Sequence, residues 1–300
     1  MNKKMSAKSA KKYFVCSDIH SFYKPLIKAL KEAGWNKNNK THVLVVLGDV
    51  FDRGHDTVKV YKFLKSIPEG QIVLVKGNHE DLFLELLAKS APDDYDYANG
   101  TVRTFCSIAG VAEKAIDREE VFLDYIRSHD DTDEIDYAEI NAEVDKKCRE
   151  SFYDIKEKVK KSGVVDWLRS CQWQNYFELD DYVMIHSFIP LRLREEDGEF
   201  YGKDYFPTWR YDSTEKEWYK ARWGCPFIHY DQGYFKEEKT LICGHWHTYR
   251  FREHYLNIEY EKHDIYRNPD IHRIYKGKGI IALDACIVAS GIINVLVIES

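Results

Sequence analysis

Short and almost wholly apolar runs recur along the chain, and each is cut off by a glycine, a carboxylate, an amide or an imidazole. Residues 43–47 (VLVVL) end in Gly48-Asp49, with Asp52-Arg53-Gly54 close behind. Residues 13–16 run into Ser17-Asp18-Ile19-His20, and residues 72–75 into Lys76-Gly77-Asn78-His79-Glu80. Residues 182–185 run into His186-Ser187, and residues 240–243 into Gly244-His245-Trp246-His247-Thr248. Short β-branched runs bounded by glycine predict buried strands. Between the first three runs the period changes to that of a helix. Leu26, Ile27, Leu30 and Ala33 share a face within residues 21–34, as do Val60, Tyr61, Phe63 and Leu64 within 57–66, and a third helix is predicted over 81–88. This alternation predicts βαβ units and a largely parallel sheet. Open α/β sheets place their chemistry just past the carboxyl ends of the strands. Each of the five runs ends in Asp, Asn or His.

From residue 92 to about 161 no strand-like run is present. Val121, Phe122, Tyr125 and Ile126, then Ile155, Val159, Val164, Val165, Trp167 and Leu168, have helical spacing, and a helical insertion is predicted over 91–170. Its acidic stretch, 117–136, reads as a solvated excursion more readily than as a cap or a partner surface. Asp180-Asp181 between two apolar runs predicts a hairpin that delivers His186. Residues 190–235 form a polar, aromatic loop insertion holding Trp209, Arg210, Trp218, Arg222, Trp223 and His229. Such residues more often pack a loop onto the body than grip a substrate. Residues 255–272 look irregular. Residues 279–284 and 294–299 predict two strands joined by a turn at Ser290-Gly291. The strands alone support an α/β class with an antiparallel end, as one domain over 13–300 after a disordered basic tail over 1–12.

A hydrophobic content of 44% with 14% aromatic residues is ample for a core of this size. The net charge of −6 argues against a general nucleic-acid surface, and nucleic acid is not an expected partner. The cysteines, Cys16, Cys106, Cys148, Cys171, Cys225, Cys243 and Cys286, are scattered and lack a C-x-x-C pair, which points to a reduced, cytoplasmic protein without a zinc knuckle. Cys16, Cys243 and Cys286 sit in apolar strand contexts, where a thiol acts as a small hydrophobe. No run approaches the roughly 20 apolar residues that span a bilayer, and the opening MNKKMSAKSAKK lacks the apolar centre of a signal peptide.

If the strand ends converge, they offer more oxygen and nitrogen ligands than one metal ion takes. Two ions sharing Asp49 is the natural arrangement. Alternate residues on an extended strand face opposite ways, so the chain must turn after Asp18 for Asp18 and His20 to face one ion. Asn78 offers an amide oxygen; His186, His245 and His247 offer imidazoles. Mixed oxygen and nitrogen ligands suit Mn²⁺, Fe or Zn²⁺ better than Ca²⁺. Each residue alone could be a satisfied polar group at a strand end; the set favours metal.

D-x-H, GDVFDRG, GNHE, a late strand-terminal His and GHWH, in this order over residues 18–247, resemble the calcineurin-like metallophosphoesterases. The GD-x-x-DRG and GNHE forms are most similar to the serine/threonine-type phosphoprotein phosphatases and their bacterial and phage relatives, a branch that includes symmetrical dinucleoside-tetraphosphate hydrolases. The resemblance implies an α/β fold, an αββα sandwich of two mixed sheets with flanking helices and a helical insertion. It implies two divalent metal ions, Mn first with Fe or Zn as alternatives. One would sit on Asp18, His20, Asp49 and His247, the other on Asp49, Asn78, His186 and His245. His247 mixes two patterns, because the protein-phosphatase branch often lacks it. The resemblance further implies hydrolysis of phosphomonoesters by a metal-bridging hydroxide. His79 would be the general acid, with Asp52 hydrogen-bonded to it, and Arg53 with Asn78 would bind the phosphoryl group. The substrate would be a phosphorylated protein or a small phosphoester. A nucleotide phosphodiesterase or dinucleoside-tetraphosphate hydrolase is the alternative, and a metal-binding interaction protein acting through its helical insertion is a third reading. Two departures, Ser21 where the family commonly has Gly and Ser187-Phe188 where many phosphatases have Gly-Gly, are expected to narrow the cleft.

Overall fold

Alternation inside the apolar runs sorts their side chains onto two faces. In a computed structural model, which describes residues 11–128, 137–170, 172–196 and 199–300 (the side chains of 195–201 excepted), those faces belong to two stacked sheets. The strands are β1 Lys12–Cys16, β2 His42–Leu47, β3 Ile72–Val75, β4 Trp173–Gln174, β5 Tyr176–Leu179, β6 Tyr182–Ile185, β7 Arg192–Glu196, β8 Glu199–Asp204, β9 Thr240–Cys243, β10 Tyr275–Gly277, β11 Ile280–Ala282 and β12 Leu296–Glu299. One sheet has the order β12-β1-β2-β3-β4 and the other β10-β11-β9-β6-β5, while β7 and β8 form a separate hairpin. In the first sheet β1, β2, β3 and β4 are parallel and β12 antiparallel. In the second β6, β9 and β11 are parallel, flanked by antiparallel β5 and β10.

Phe14, Cys16, Leu44 and Val46 point into a core under the flanking helices. Their neighbours Tyr13, Val15, Val43, Val45 and Leu47 point the other way and meet Met184, Ile242 and Leu283 between the sheets. Both faces of these strands are covered, which is why they read as unbroken apolar runs. Val183, Ile185, Leu241, Cys243, Ile280 and Ala282 line a third core on the outer side of the second sheet. The layering is the αββα sandwich that the resemblance implies, where the strands alone indicated only an α/β class with an antiparallel end.

The segment after residue 91 is helical throughout its described part, with helices Asp94–Asn99, Thr101–Ala109, Arg118–Ser128, Tyr137–Lys161 and Val164–Leu168. Phe105, Phe152, Ile155, Val159 and Trp167 join the first core, whereas helix Arg118–Ser128 buries no residue, in keeping with a solvated acidic stretch. The aromatic insertion is more ordered than expected. It holds the β7–β8 hairpin and helices Trp209–Asp212, Glu215–Arg222 and Pro226–Asp231. Trp209 and Trp218 are buried in the third core, so packing is their role.

Several local expectations differ from the fold. The basic tail expected over residues 1–12 falls, up to residue 10, outside the described residues, and Lys12 already pairs with Glu299 of β12. The two closing strands do not form a hairpin: β11 lies parallel to β9, and β12 crosses to pair with β1 in the other sheet. Alternation specifies a strand but not its partner. Cys286 is not in a strand; it has φ +53° and precedes the helical turn Ile287–Ser290. Residues 255–272 include helix Lys262–Arg267, and helix Thr248–Leu256 enters the segment; only Tyr249 and Phe251 mark that helix's buried apolar side. Helix Asn78–Ala88 begins three residues earlier than predicted. No helix among the described residues is long and apolar enough to cross a membrane.

Phe105 ties the helical insertion to the body, its ring centroid 4.8 Å from Phe83 and 6.2 Å from Phe152. Phe105→Ala is expected to lower the unfolding free energy by about 3–5 kcal/mol. A shift of the urea midpoint without a change in slope would bear this out; an unchanged midpoint would show that the insertion folds apart from the body.

Candidate functional site

The parallel strands of both sheets end at the same edge of the sandwich. Asp18 follows β1, Asp49 follows β2, Asn78 opens the helix after β3, His186 follows β6 and His245 follows β9. Tight turns hold the side chains there. Asp18, His20, Asp49, Asp52, Arg53 and His245 all have φ between +47° and +72°. The left-handed region costs non-glycine residues free energy, and such strain collects at functional sites. Gly48, with φ +79°, could carry no side chain: a Cβ there would lie 2.5 Å from Gly77 Cα and 2.7 Å from His186 Nδ1. A Cβ on Gly244 would strike the Asp18 carboxylate.

Asp49 is the meeting point. Ligand atoms of His20, Asp49 and His79 lie within 4.8 Å of one another, and so do those of Asp49, His186 and His245. Asp18 and His247 line the same cleft, of about 390 Å³, but stand outside those two sets. The Asp18 carboxylate accepts the His245 amide N–H at 3.0 Å. His247 Nε2 is 3.8 Å from the buried Asp284 carboxylate.

His20 and His186 are each aimed by the second ring nitrogen. His20 Nδ1–H donates to Phe51 O at 2.9 Å, leaving Nε2 turned to Asp49 Oδ2 at 3.8 Å. His186 Nδ1–H donates to Leu47 O at 2.7 Å, which turns the Nε2 lone pair toward Asn78 Oδ1 at 2.9 Å and Asp49 Oδ1 at 3.4 Å. Metal-binding histidines are oriented in this way. Three electron-pair donors facing one point fit a cation between them. Burial lowers the pKa of His20, with Arg53 and His79 adding to it, and lowers His245 to about 3, with His186 adding. Both rings are thereby held in the neutral form that binds metal. Burial opposes ionisation of Asp49, but His186 and His79 outweigh it and hold the carboxyl well below its ordinary range. Burial, Asp284 and Asp49 raise Asp18. Crowded buried carboxylates among neutral imidazoles fit divalent cations.

His79 Nδ1 bonds Asp52 Oδ2 at 2.7 Å, and its Nε2 meets Arg53 Nη2 at 3.2 Å. Burial works against a charged His79, yet Asp49 and the Asp52 bond prevail and raise its pKa. Asp52 is held by the hydroxyls of Thr101 (2.9 Å) and Thr104 (2.6 Å), and Arg103 donates to Arg53 O at 2.7 Å. These three come from the helical insertion, a buttress that the sequence did not disclose because nothing in their spacing marks them. Glu80 was also missed, although GNHE contains it. It accepts the amides of Asp49, Val50 and Gly77 at 3.0, 3.0 and 2.7 Å, pinning the loop after β2 to the loop after β3. Burial and Asp49 push its carboxyl up to about 7 against the pull of those amides. Asp284, just past β11, continues the rule of a carboxylate at a strand end.

Neither sequence departure narrows the cleft. The Ser21 hydroxyl turns to Thr57 at 2.9 Å, the Ser187 hydroxyl donates to Gly224 O at 2.7 Å, and Phe188 packs in the third core.

The sequence profile described as calcineurin-like phosphoesterase (Metallophos) matches residues 11–263. Serine/threonine-protein phosphatase 1 of Salmonella typhimurium is 32% identical over 87 residues, 29% of this chain and 38% of that protein. The symmetrical bis(5'-nucleosyl)-tetraphosphatase of Proteus mirabilis is 33% identical over 76 residues, 25% of this chain and 27% of that protein. The matched segments therefore cover well under half of either relative. A cold-active protein-tyrosine phosphatase of a psychrophilic Shewanella superposes with a TM-score of 0.47 at 15% identity, over 98% of this chain and 80% of that one.

Glu80→Gln places an amide NH₂ against at least one backbone N–H, and is expected to cost about 1–3 kcal/mol of stability. Thermal unfolding in chelator isolates this loss from metal binding. An unchanged midpoint would mean that the two loops are held by other contacts.

Proposed function

The chain belongs to the calcineurin-like phosphoesterase family, and from that membership we propose that it is a metal-dependent hydrolase of phosphomonoesters. The observation that carries the reading is the sharing of Asp49 between two imidazole sets. Asp18, His20, Asp49 and His247 would hold one divalent ion, and Asp49, Asn78, His186 and His245 the other, with Mn²⁺ first and Fe or Zn²⁺ as alternatives. When bound, such a pair supplies a nucleophilic water near neutral pH and offsets phosphoryl charge.

The chain's own groups do the rest. Arg53 stands at the cleft with a planar fork suited to two phosphoryl oxygens. Asn78 faces the same cleft and would orient the phosphoryl group. When a phosphoryl group draws Arg53 away from His79 Nε2, that nitrogen is free to carry a proton toward the leaving oxygen. Asp52 holds the ring by Nδ1 and favours its charged form. The oxygen of water bonds to phosphorus as the ester P–O bond breaks, and the leaving oxygen takes the His79 proton. Salmonella serine/threonine-protein phosphatase 1 makes phosphoproteins the first macromolecular substrates to try.

Protein stripped of metal should be inactive on an aryl phosphomonoester and recover with Mn²⁺. His79→Asn should lower kcat by about 10²–10⁴-fold with little change in KM. Turnover that persists in the mutant would remove His79 as the acid, and a preference for the matching diester would overturn the monoester reading.

A further inference from the structure

Beside the metal-site cleft lies a second, larger cavity, of about 760 Å³, within the range that takes drug-sized ligands. Phe188, Leu191, Leu193 and Ile228 give it apolar walls. Tyr95, from the helical insertion, adds an aromatic ring 6.5 Å from that of Trp223, which also lines it. Into this space β8 brings a lysine, Lys203, paired across the β7–β8 hairpin with Leu193.

The Lys203 amine is placed unlike that of a surface lysine. Its Nζ donates to His229 Nε2 at 2.9 Å. His229 is only 8% exposed, and its Nδ1 has no partner. With Nε2 accepting, Nδ1 carries the ring's one proton. Burial, and after it Lys203, lower the imidazole pKa to about 4, so the ring stays neutral and Nε2 stays an acceptor. The other charged or titratable groups bearing on Lys203 are Lys220 and the Cys225 thiol, which line the same cavity. Glu217 is there too, with Oε2 held by the amide and hydroxyl of Thr214 at 2.7 and 2.8 Å, and it forms no ion pair with Lys203.

An ammonium that faces apolar walls and a second cation, and is met by a neutral imidazole alone, is poorly compensated for its lost water. Burial, with Lys220 adding to it and Cys225 opposing, accordingly lowers the Lys203 pKa. The neutral amine gives one N–H to His229 and keeps its lone pair. Desolvation in an apolar pocket and a neighbouring cation are the two means by which lysines become nucleophiles toward carbonyl groups. The apolar walls with Trp223 and Tyr95 suit an aromatic body on the carbonyl compound.

We propose that Lys203 captures an aromatic aldehyde in this cavity as a reversible imine. The Nζ lone pair forms a C–N bond to the carbonyl carbon, and the carbonyl oxygen leaves as water with the two amine protons. Nothing is oxidised or reduced. The inference is independent of the hydrolase reading.

The test uses the full chain without metal. 2-Naphthaldehyde is added at neutral pH, cyanoborohydride supplies the hydride that fixes the imine, and peptide mass mapping locates the adducts. Lys203 should be modified about tenfold or more faster than the exposed Lys28, the order of gain expected from burying one aromatic ring. Its rate should saturate with aldehyde. Glyceraldehyde, a polar aldehyde, should react with Lys203 no faster than with Lys28. Lys203→Arg keeps the cation and should lose the fast reaction, and the wild-type map decides the matter even if that variant misfolds. Modification of Lys203 at the rate of Lys28, a rate linear in aldehyde, or a fast reaction that survives in Lys203→Arg overturns the capture site. Equally fast capture of glyceraldehyde overturns the aromatic class.

Discussion

A carboxylate stripped of water must be met by positive charge or hydrogen-bond donors. Asp49 is 2% exposed, and the arrangement of both sheets follows from meeting that need. The His79 backbone N–H donates to its Oδ1 at 3.0 Å, and the imidazoles gathered around it, ligands for a shared cation, come from distant parts of the sequence: His20 after β1, His79 after β3, His186 after β6, His245 after β9. Parallel pairing brings those strand ends to one edge, and the left-handed turns aim the side chains inward. Glu80 then closes the loops from behind by taking three amides.

The helical insertion is part of this machinery and not only a covering. Its apolar side completes the first core, and Thr101, Thr104 and Arg103 reach the loop carrying Asp52 and Arg53. A hydrogen-bonded chain thus runs from the insertion through Asp52 to His79. The fixed geometry of Asp52 sets which ring nitrogen of His79 faces the cleft, so a segment outside every motif orients a motif residue.

The aromatic insertion is clamped to the body by charge. Arg222, 2% exposed, binds Asp81 at 2.5 Å and Glu215 at 2.6 Å. Asp81 lies on the helix that begins with Asn78 and His79, so this link also places Trp223 at the mouth of the cleft. Arg210 makes a parallel clamp on Glu178 and Glu237. Removing one partner from the buried Arg222–Asp81 pair is costly.

The five apolar runs and the residues that end them determined the strands, the α/β class and the set of candidate ligands, because buried strands must be apolar and strand-end polar residues are not demanded by packing. Period and composition also pointed to the helices described between Asp94 and Ser128 and between Tyr137 and Leu168. Partnering was left to the tertiary structure: alternation along β11 and β12 is the same whether they pair with each other or, as they do, join different sheets. Proximity across the chain was left to it as well. Thr101, Thr104, Glu80 and Asp284 acquire their places at the site only when strand ends hundreds of residues apart converge, since a hydroxyl or carboxylate carries no local sign of what it will face.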